Sequence, residues 1–256
     1  MAGGSRLWVP AVARPFAERL VADVLRVLPG ETCLDMPCGW GVLAAVMAGA
    51  AGPEGTVLAI DADPEARRAC AEEVATLRLA SVEVGATAPG GGVDAAGSLL
   101  TLAHRDRPAA ILAEVATALR PGGRLAAASW GGGAGASPIT AVAAALDSAD
   151  AGAPAPLRDA LRHGGPGGLE DLAAAAGLGG AEVLRPRDVA RFNGPDHLLA
   201  AVAGLCGVEA ELDGLSDQEL AAVLDHLAVA LRPFTAWDGT LVIPVELAVL
   251  RWTRHG

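Results

Sequence analysis

Residues 34–41, Leu-Asp-Met-Pro-Cys-Gly-Trp-Gly, join a short apolar run at 32–36 to a stretch of small residues at 39–50. The first pattern predicts a buried strand and the second a helix. Glycines in a strand-to-helix turn let the backbone approach a ligand without a Cβ in the way. The first N–H groups of the helix lack intrahelical partners and favour a polar or anionic ligand atom. This turn is therefore the starting point for both the fold and the site.

The alternation of apolar runs and helical patterns continues on both sides of this turn. Further strands are predicted at 55–60, 81–84, 93–100 and 124–130. Helices are predicted at 11–28, 63–78 and 108–119. Strands and helices that alternate in this way form right-handed βαβ units and a parallel sheet. We therefore predict a doubly wound, Rossmann-like α/β fold with its core at 30–130.

The second half of the chain has fewer predicted strands. Extended segments are predicted at 182–192 and 240–252, and helices at 138–148, 169–176, 196–205 and 217–231. Together with the first five strands, this predicts a mostly parallel sheet of seven strands within a single domain, 1–256. The helices of residues 195–233, with residues 6–28, are predicted to form a lid over the carboxyl ends of the strands, where such sheets bind ligands.

Composition excludes several classes of protein. Apolar residues make up 52% of the 256 residues, enough for a sizeable core. The chain has 30 acidic and 19 basic residues, a net charge of −11, so it would repel nucleic acid. Lysine and tyrosine are both missing. Their absence removes Schiff-base chemistry, the P-loop lysine and tyrosine-based dehydrogenase mechanisms.

Cysteine and histidine are sparse. The four cysteines form no CxxC pair and there are five histidines, so no metal site is expected. No apolar run is long enough to span a bilayer, and the first residues lack the apolar core of a signal peptide. We expect a cytoplasmic protein without a membrane partner, and leave open whether it forms a homodimer.

A carboxylate follows the second predicted strand. Asp61 lies 20 residues after Gly41, where a nucleotide-binding α/β fold places an acid that accepts hydrogen bonds from ribose hydroxyls. The dinucleotide pattern G-x-G-x-x-A fits only when counted from Gly39 to Ala44, which is a weak match. A nicotinamide-dependent oxidoreductase therefore remains one alternative.

Three segments carry a more specific pattern. They are Asp35-x-x-Cys38-Gly39-x-Gly41, the run Val-Leu-Ala-Ile-Asp at 57–61, and Leu-Arg-Pro-Gly-Gly-Arg-Leu at 119–125. In these segments the chain resembles the class I S-adenosylmethionine-dependent methyltransferases. It is most similar to the branch that holds the ubiquinone/menaquinone C-methyltransferases and many actinobacterial small-molecule enzymes. The resemblance covers most of the chain and specifies no substrate.

The resemblance implies S-adenosylmethionine as cofactor and a set of residues around it. These residues are Asp35, Pro37, Gly39, Gly41, Asp61, Ala62, Ala86, Thr87 and Ser98. One departure stands out. The family usually has an acid after the third strand, where it meets the adenine amino group, whereas this chain has Ala86-Thr87.

A histidine near the end of the fourth predicted strand is the candidate general base. His104 resembles a position near the methyl group in relatives, and an unperturbed pKa of about 6.5 suits a base at neutral pH. His163 and His197 are weaker candidates. Cys38 has no neighbouring base or cation in sequence, so we expect a small loop residue there.

The resemblance implies methyl transfer to a small, largely apolar acceptor, in keeping with bacterial natural-product or secondary metabolism. The missing acid at residues 86–87 keeps a second hypothesis open. The protein could bind S-adenosylmethionine without methylating, either as a cyclase-like catalyst or as a non-catalytic partner.

Overall fold

The structure is a computed structural model that describes residues 12–131 and 137–256. Its strands are β1 (Thr32–Asp35), β2 (Thr56–Ile60), β3 (Val82–Gly85), β4 (Val93–Leu99), β5 (Leu119–Trp130), β6 (Glu182–Leu184), β7 (Arg187–Phe192) and β8 (Leu241–Thr253).

Helices connect and cover these strands. They are α1 (Arg14–Arg19), α2 (Val42–Ala51), α3 (Pro64–Leu77), α4 (Pro108–Ala118), α5 (Pro138–Ser148), α6 (Ala155–Asp159), α7 (Gly168–Ala175), α8 (Pro195–Cys206), α9 (Glu209–Asp213) and α10 (Asp217–Ala230). A π-helical segment, Leu20–Leu25, continues α1, and 3-10 turns occupy Leu102–His104 and Arg232–Phe234.

The sheet has the predicted mostly parallel, Rossmann-like architecture. Its strand order is β3-β2-β1-β4-β5-β8-β6, with β7 also paired to β8. Strands β1 to β5 are parallel to one another, and β8 is antiparallel to β5. The α/β fold class is therefore confirmed.

The prediction of seven strands is wrong, because the described residues form a sheet of eight. The predicted extended segment at 182–192 is divided into β6 and β7. Both pair with β8 in one register, as Leu184 opposite Val249 and Arg187 opposite Glu246 show. Pro186, which lacks a backbone N–H, lies at the interruption between the two strands.

Helices cover both faces of the sheet. In β1, Cys33 belongs to the apolar cluster beneath α1, α2 and α3, and Leu34 belongs to the cluster beneath α4 and α7. Successive strand residues point to opposite faces, so both faces are buried and the sheet is doubly wound.

The start of α3 has the predicted capping residues. Asp63 Oδ1 accepts a hydrogen bond of 2.9 Å from the Glu65 N–H, and Pro64 occupies the first turn. A carboxylate at this position satisfies a helix N–H that would otherwise be unpaired. The cap also ends the turn that follows β2, next to Asp61.

The residues predicted to form a lid are only partly described. Residues 6–11 of the N-terminal part lie outside the described residues. Phe16 and Leu25 are buried against the sheet and α2, so the residues from Arg14 to Leu25 contribute to the core. Helices α8 and α10 pack against α5. Whether 195–233 covers a bound acceptor stays a prediction.

None of the helices that the structure describes is both long and apolar enough to cross a membrane.

Candidate functional site

The carboxyl ends of β1, β2, β3 and β4 meet at one edge of the sheet. Hydrogen bonds beyond the strands hold this edge together. The Met36 N–H donates to Gly97 O (2.9 Å), the Cys38 N–H to Ile60 O (2.9 Å) and the Asp61 N–H to Gly85 O (3.2 Å). The loop after β1 is thereby fixed between the ends of β2 and β4.

The glycine turn is tightly packed. Gly39 and Gly41 have φ values of +51° and +79°, in the left-handed region that glycine adopts most readily. A Cβ on Gly41 would lie 2.7 Å from the Cys70 Sγ, and one on Gly39 would lie 3.3 Å from Thr101 Cγ2. The backbone conformation therefore favours glycine at both positions, and the contact with Cys70 also requires it at Gly41.

Asp35, at the end of β1, is almost fully buried. Its Oδ2 accepts a hydrogen bond of 2.9 Å from the Ala44 N–H in the first turn of α2. Burial raises the pKa of the Asp35 carboxyl well above its usual range, and charge on Cys70 and Asp61 adds to the effect. The Asp35 carboxyl group thus links α2 to β1. Its burial disfavours the charged form of the group.

Asp61 is buried immediately after β2, and its carboxylate accepts three hydrogen bonds. Oδ2 accepts from the Gly39 N–H (3.1 Å) and from Arg105 Nη2 (2.8 Å), and Oδ1 accepts from the Asp63 N–H (3.1 Å). The acid therefore lies directly against the glycine turn, and its contact with a ribose stays a prediction.

Ser98 and Pro37 are linked through a residue that the sequence did not single out. The Thr101 hydroxyl lies 3.0 Å from the Ser98 hydroxyl and donates to Pro37 O at 3.1 Å. Ser98 is buried at the end of β4. The three residues tie the end of β4 to the glycine turn, and direct contact of Ser98 or Pro37 with a cofactor stays a prediction.

Ala62, Ala86 and Thr87 line the same edge further along the sheet, and all three are exposed. Residues 86–87 follow β3, which pairs with β2 through Gly85 and Ile60. The turn that holds Ala62 is fixed by another side chain. Arg67 Nη1 donates to Asp61 O (2.8 Å) and Ala62 O (2.9 Å).

His104 is the only one of the three candidate histidines that directly follows a strand of this edge. It lies in the 3-10 turn after β4, with its N–H bonded to Thr101 O at 3.3 Å. Protein atoms packed around the ring and the charge of Arg105 lower the pKa of His104, although part of the residue reaches solvent. His104 is therefore neutral at pH 7.

The other two histidines lie in different parts of the fold. His163 lies in the turns between α6 and α7, where burial lowers its pKa. His197 accepts a hydrogen bond at Nδ1 from the Asn193 N–H (2.9 Å) and so fastens the start of α8.

Two buried thiols lie beneath the glycine turn. The Cys38 thiol donates a weak hydrogen bond to Gly39 O (3.9 Å), and its contact with Cys70 together with burial raises the pKa of Cys38. Cys38 therefore keeps its proton at neutral pH. Across residues 12–131 and 137–256, no three His, Cys, Asp or Glu side chains gather to hold a metal ion, and the expectation of no metal remains a prediction.

Sequence reasoning missed Arg105 and Thr101. Both follow β4 within six residues, next to the predicted His104. The carboxyl end of β4 meets the glycine turn, so every polar residue just after β4 was a candidate site residue. Their place after this strand was the signal that could have identified Thr101 and Arg105.

These features fit an adenosyl cofactor. A buried carboxylate follows β2, a turn with two left-handed glycines follows β1, and both are at the carboxyl edge of a parallel sheet. A carboxylate accepts hydrogen bonds from ribose hydroxyls, and the tight turn brings backbone N–H groups to the same edge. Fold and site together define a class I S-adenosylmethionine-dependent methyltransferase fold.

Comparison with known proteins agrees with this class. Residues 34–127 match the family described as "Methyltransferase domain". A nocamycin O-methyltransferase of Saccharothrix syringae is 36% identical over 118 residues, which are 44% of this chain and 42% of that protein. An uncharacterised 37.1 kDa protein of a Streptomyces fradiae transposon is 37% identical over 112 residues, 42% of this chain and 32% of that protein. The chain thus spans less than half the length of these curated relatives.

The same fold occurs in a solved structure that covers almost the whole chain. It is a Bacillus halodurans protein described as a candidate methyltransferase, with a TM-score of 0.59 and 12% identity over 93% of this chain and 99% of that one. Residues 34–127 thus match a methyltransferase domain, and the chain has a fold found among solved methyltransferase-like structures. None of the relatives named here is a quinone methyltransferase, so the resemblance to that branch stays a prediction.

Proposed function

We propose that this protein transfers the methyl group of S-adenosylmethionine to a small, largely apolar acceptor. The observation that carries the proposal is the 3.1 Å hydrogen bond between the Gly39 N–H and the Asp61 carboxylate, which joins the glycine turn to the acid after β2. The match of residues 34–127 to methyltransferase domains supports the same conclusion.

The chain's own residues would bind and orient the reactants. When bound, the cofactor supplies a methyl group already activated on a sulfonium. The turn at Gly39 and Gly41 would take the methionine part, and Asp61 the ribose. Holding two reactants in line can contribute roughly 7–11 kcal/mol to lowering a barrier. No protein nucleophile is needed for this displacement.

His104 would accept the proton that a hydroxyl acceptor loses. It follows β4 beside the proposed cofactor site, and its lowered pKa keeps the ring neutral at pH 7. The nocamycin O-methyltransferase relative supports an oxygen acceptor on a small natural product. The helices of residues 195–233 contain no lysine and much Ala, Leu and Val, which favours a neutral acceptor.

Calorimetry with S-adenosylmethionine, S-adenosylhomocysteine and NAD(H) tests the cofactor. We expect both adenosyl compounds to bind, and the nicotinamides to bind weakly or not at all. Methyl transfer is then assayed with labelled S-adenosylmethionine and a panel of small phenols and enols. Tight binding of NAD(H) with no adenosyl binding would overturn the proposal in favour of an oxidoreductase.

A second candidate function rests on residues 86–87, where no carboxylate faces the adenine side of the site. The protein would then bind S-adenosylmethionine without transferring its methyl group. The same two assays separate the candidates. Adenosyl binding with no product from any acceptor favours this second function, and labelled product from one acceptor excludes it.

A further inference from the structure

An arginine occupies the ribose side of the proposed cofactor site. Arg105 Nη2 forms a 2.8 Å ion pair with Asp61 Oδ2, although the two residues are 44 positions apart. The Asp61 side chain is 1% exposed and the Arg105 side chain 24% exposed. The pair is therefore buried at the carboxylate and open to solvent at the arginine.

The hydrogen-bonding capacity of the carboxylate is nearly used up by the protein. Two oxygens of a carboxylate offer about four acceptor positions. Oδ2 already accepts from the Gly39 N–H and from Arg105, and Oδ1 accepts from the Asp63 N–H. One position remains for a ribose that carries two hydroxyls. Of the three donors, only Arg105 is a side chain that can leave without disturbing the backbone.

The arginine itself is incompletely paired in this position. Among the described residues, its buried Nε has no hydrogen-bond acceptor. A buried donor without an acceptor raises the free energy of the state that contains it. The exposed part of the side chain gives the guanidinium a way into water, where all its donors can be hydrated.

We propose that Arg105 competes with the cofactor ribose for Asp61 and so determines how tightly the site binds adenosyl compounds. The inference rests on the proposed function, because it assigns the Asp61 carboxylate to ribose. Ligand binding replaces the guanidinium by ribose hydroxyls, and the arginine turns towards solvent. Arg105 is thus a specificity-determining residue, because every ligand that uses the Asp61 carboxylate has to displace the guanidinium first.

The test compares wild-type protein with Arg105→Met, which keeps most of the side-chain length and removes the charge. Calorimetry with S-adenosylhomocysteine should show binding roughly tenfold tighter in the variant, since a charge-assisted hydrogen bond no longer has to be broken. Arg120→Met is the matched control, because Arg120 forms its ion pair with Asp94 at the start of β4, away from the glycine turn. Its affinity should equal that of the wild type.

Salt provides a second measurement that a purely structural role would not change. Raising KCl from 50 to 300 mM weakens a partly exposed ion pair. Wild-type affinity should therefore improve with salt relative to Arg105→Met. Thermal unfolding verifies that each variant is folded.

The outcomes separate the two proposals. If wild type binds S-adenosylhomocysteine and Arg105→Met binds equally or more weakly, the competition is overturned and the proposed function stands. If neither wild type nor a folded Arg105→Met protein binds the compound, the proposed function fails and the competition with it.

Discussion

Ala44 and Asp35 are joined by a 2.9 Å hydrogen bond from the Ala44 N–H to a carboxyl group that is 1% exposed. The bond spans the whole glycine turn, because Asp35 ends β1 and Ala44 lies in the first turn of α2. The turn is thus clamped by a titratable group whose pKa is raised by burial.

We expect Asp35→Asn to stabilise the protein increasingly as the pH rises. With its raised pKa, the folded state retains a proton that the unfolded chain loses above about pH 4. Wild-type stability therefore falls by up to about 1.4 kcal/mol per pH unit until the folded pKa is passed. Asparagine keeps an oxygen that accepts the hydrogen bond of the Ala44 N–H. Because asparagine does not titrate, the variant does not lose stability in this way as the pH rises. Thermal unfolding from pH 4 to 8 measures the difference, and a gap independent of pH would contradict the assignment.

Asp94→Asn serves as a control, because its effect on stability should depend on pH in the opposite direction. Although burial acts to raise it, the Thr32 N–H and the Arg120 guanidinium lower the pKa of Asp94 overall. This carboxylate contributes stability above its unfolded pKa, and that contribution is lost as the pH falls through the folded pKa. The variant should therefore be destabilised at pH 7 and approach the wild type in acid.

Asp61→Ala should weaken binding of S-adenosylhomocysteine by roughly one to two decades, since hydrogen bonds to a charged group contribute about 1.5–3 kcal/mol. Asp63→Ala is the comparison, because it removes the cap of α3 and keeps the Asp61 carboxylate and its backbone donor. It should lower the melting temperature and leave the affinity unchanged. Equal affinities in all three proteins would mean that ribose binds elsewhere.

Gly39→Ala should lower both stability and adenosyl affinity, whereas Gly52→Ala should lower stability alone. Both glycines have positive φ, +51° and +70°, so alanine is strained at both, by about 1–2 kcal/mol at residue 39. The strain is larger at Gly52, because its ψ of −171° lies in a region that is essentially restricted to glycine. Only the Cβ at 39 meets a neighbour, Thr101 Cγ2 at 3.3 Å, so alanine there should also shift the turn that contacts Asp61. Thermal unfolding of the two variants measures the backbone strain, and calorimetry with S-adenosylhomocysteine measures the loss of affinity. Equal affinities in Gly39→Ala and Gly52→Ala would place the ligand away from Gly39.

Ala86→Asp, or Thr87→Asp, should tighten binding of S-adenosylhomocysteine about fivefold. A carboxylate after β3 gives the adenine amino group a charge-assisted hydrogen bond worth on the order of 1 kcal/mol after desolvation. Both residues are exposed, so the new charge carries little burial cost. Ala86→Asn controls for size without charge. Weaker binding in both acidic variants would show that the adenine edge is held differently and would favour the non-methylating candidate.

His104→Gln should reduce methyl transfer by about 10²–10⁴-fold and leave the affinity for S-adenosylhomocysteine intact. Because its pKa is lowered, the ring stays neutral from high pH down to below about 6.5, so the wild-type rate should be flat above that value and fall in more acid solution. His197→Gln, which alters only the start of α8, should keep the wild-type rate. A His104 variant with full activity would remove the residue from the mechanism.

Local pattern was enough to predict most of the fold. The cap at Asp63, the glycine turn after β1 and the bounds of β2 and β4 to within a residue or two all follow from short stretches of sequence. The interruption between β6 and β7 did not follow, since it depends on pairing with β8 more than 50 residues away. Similarly, Asp61 was predictable from its place after a strand. Its ion pair with Arg105 was not, because it depends on the conformation of a side chain 44 residues away.

The division of the outer strand into β6 and β7 also bears on how the protein behaves at high concentration. An unpaired sheet edge is a template for strands of other molecules and a common origin of aggregation. Here the edge is broken between β6 and β7, where the Arg185 guanidinium is bonded to Gly164 O (2.7 Å) and Gly165 O (2.9 Å). The opposite edge, β3, has only four residues and carries the exposed Glu83. Within the part of the chain that the structure describes, the edge strands β3, β6 and β7 have four, three and six residues, so samples should resist fibril formation.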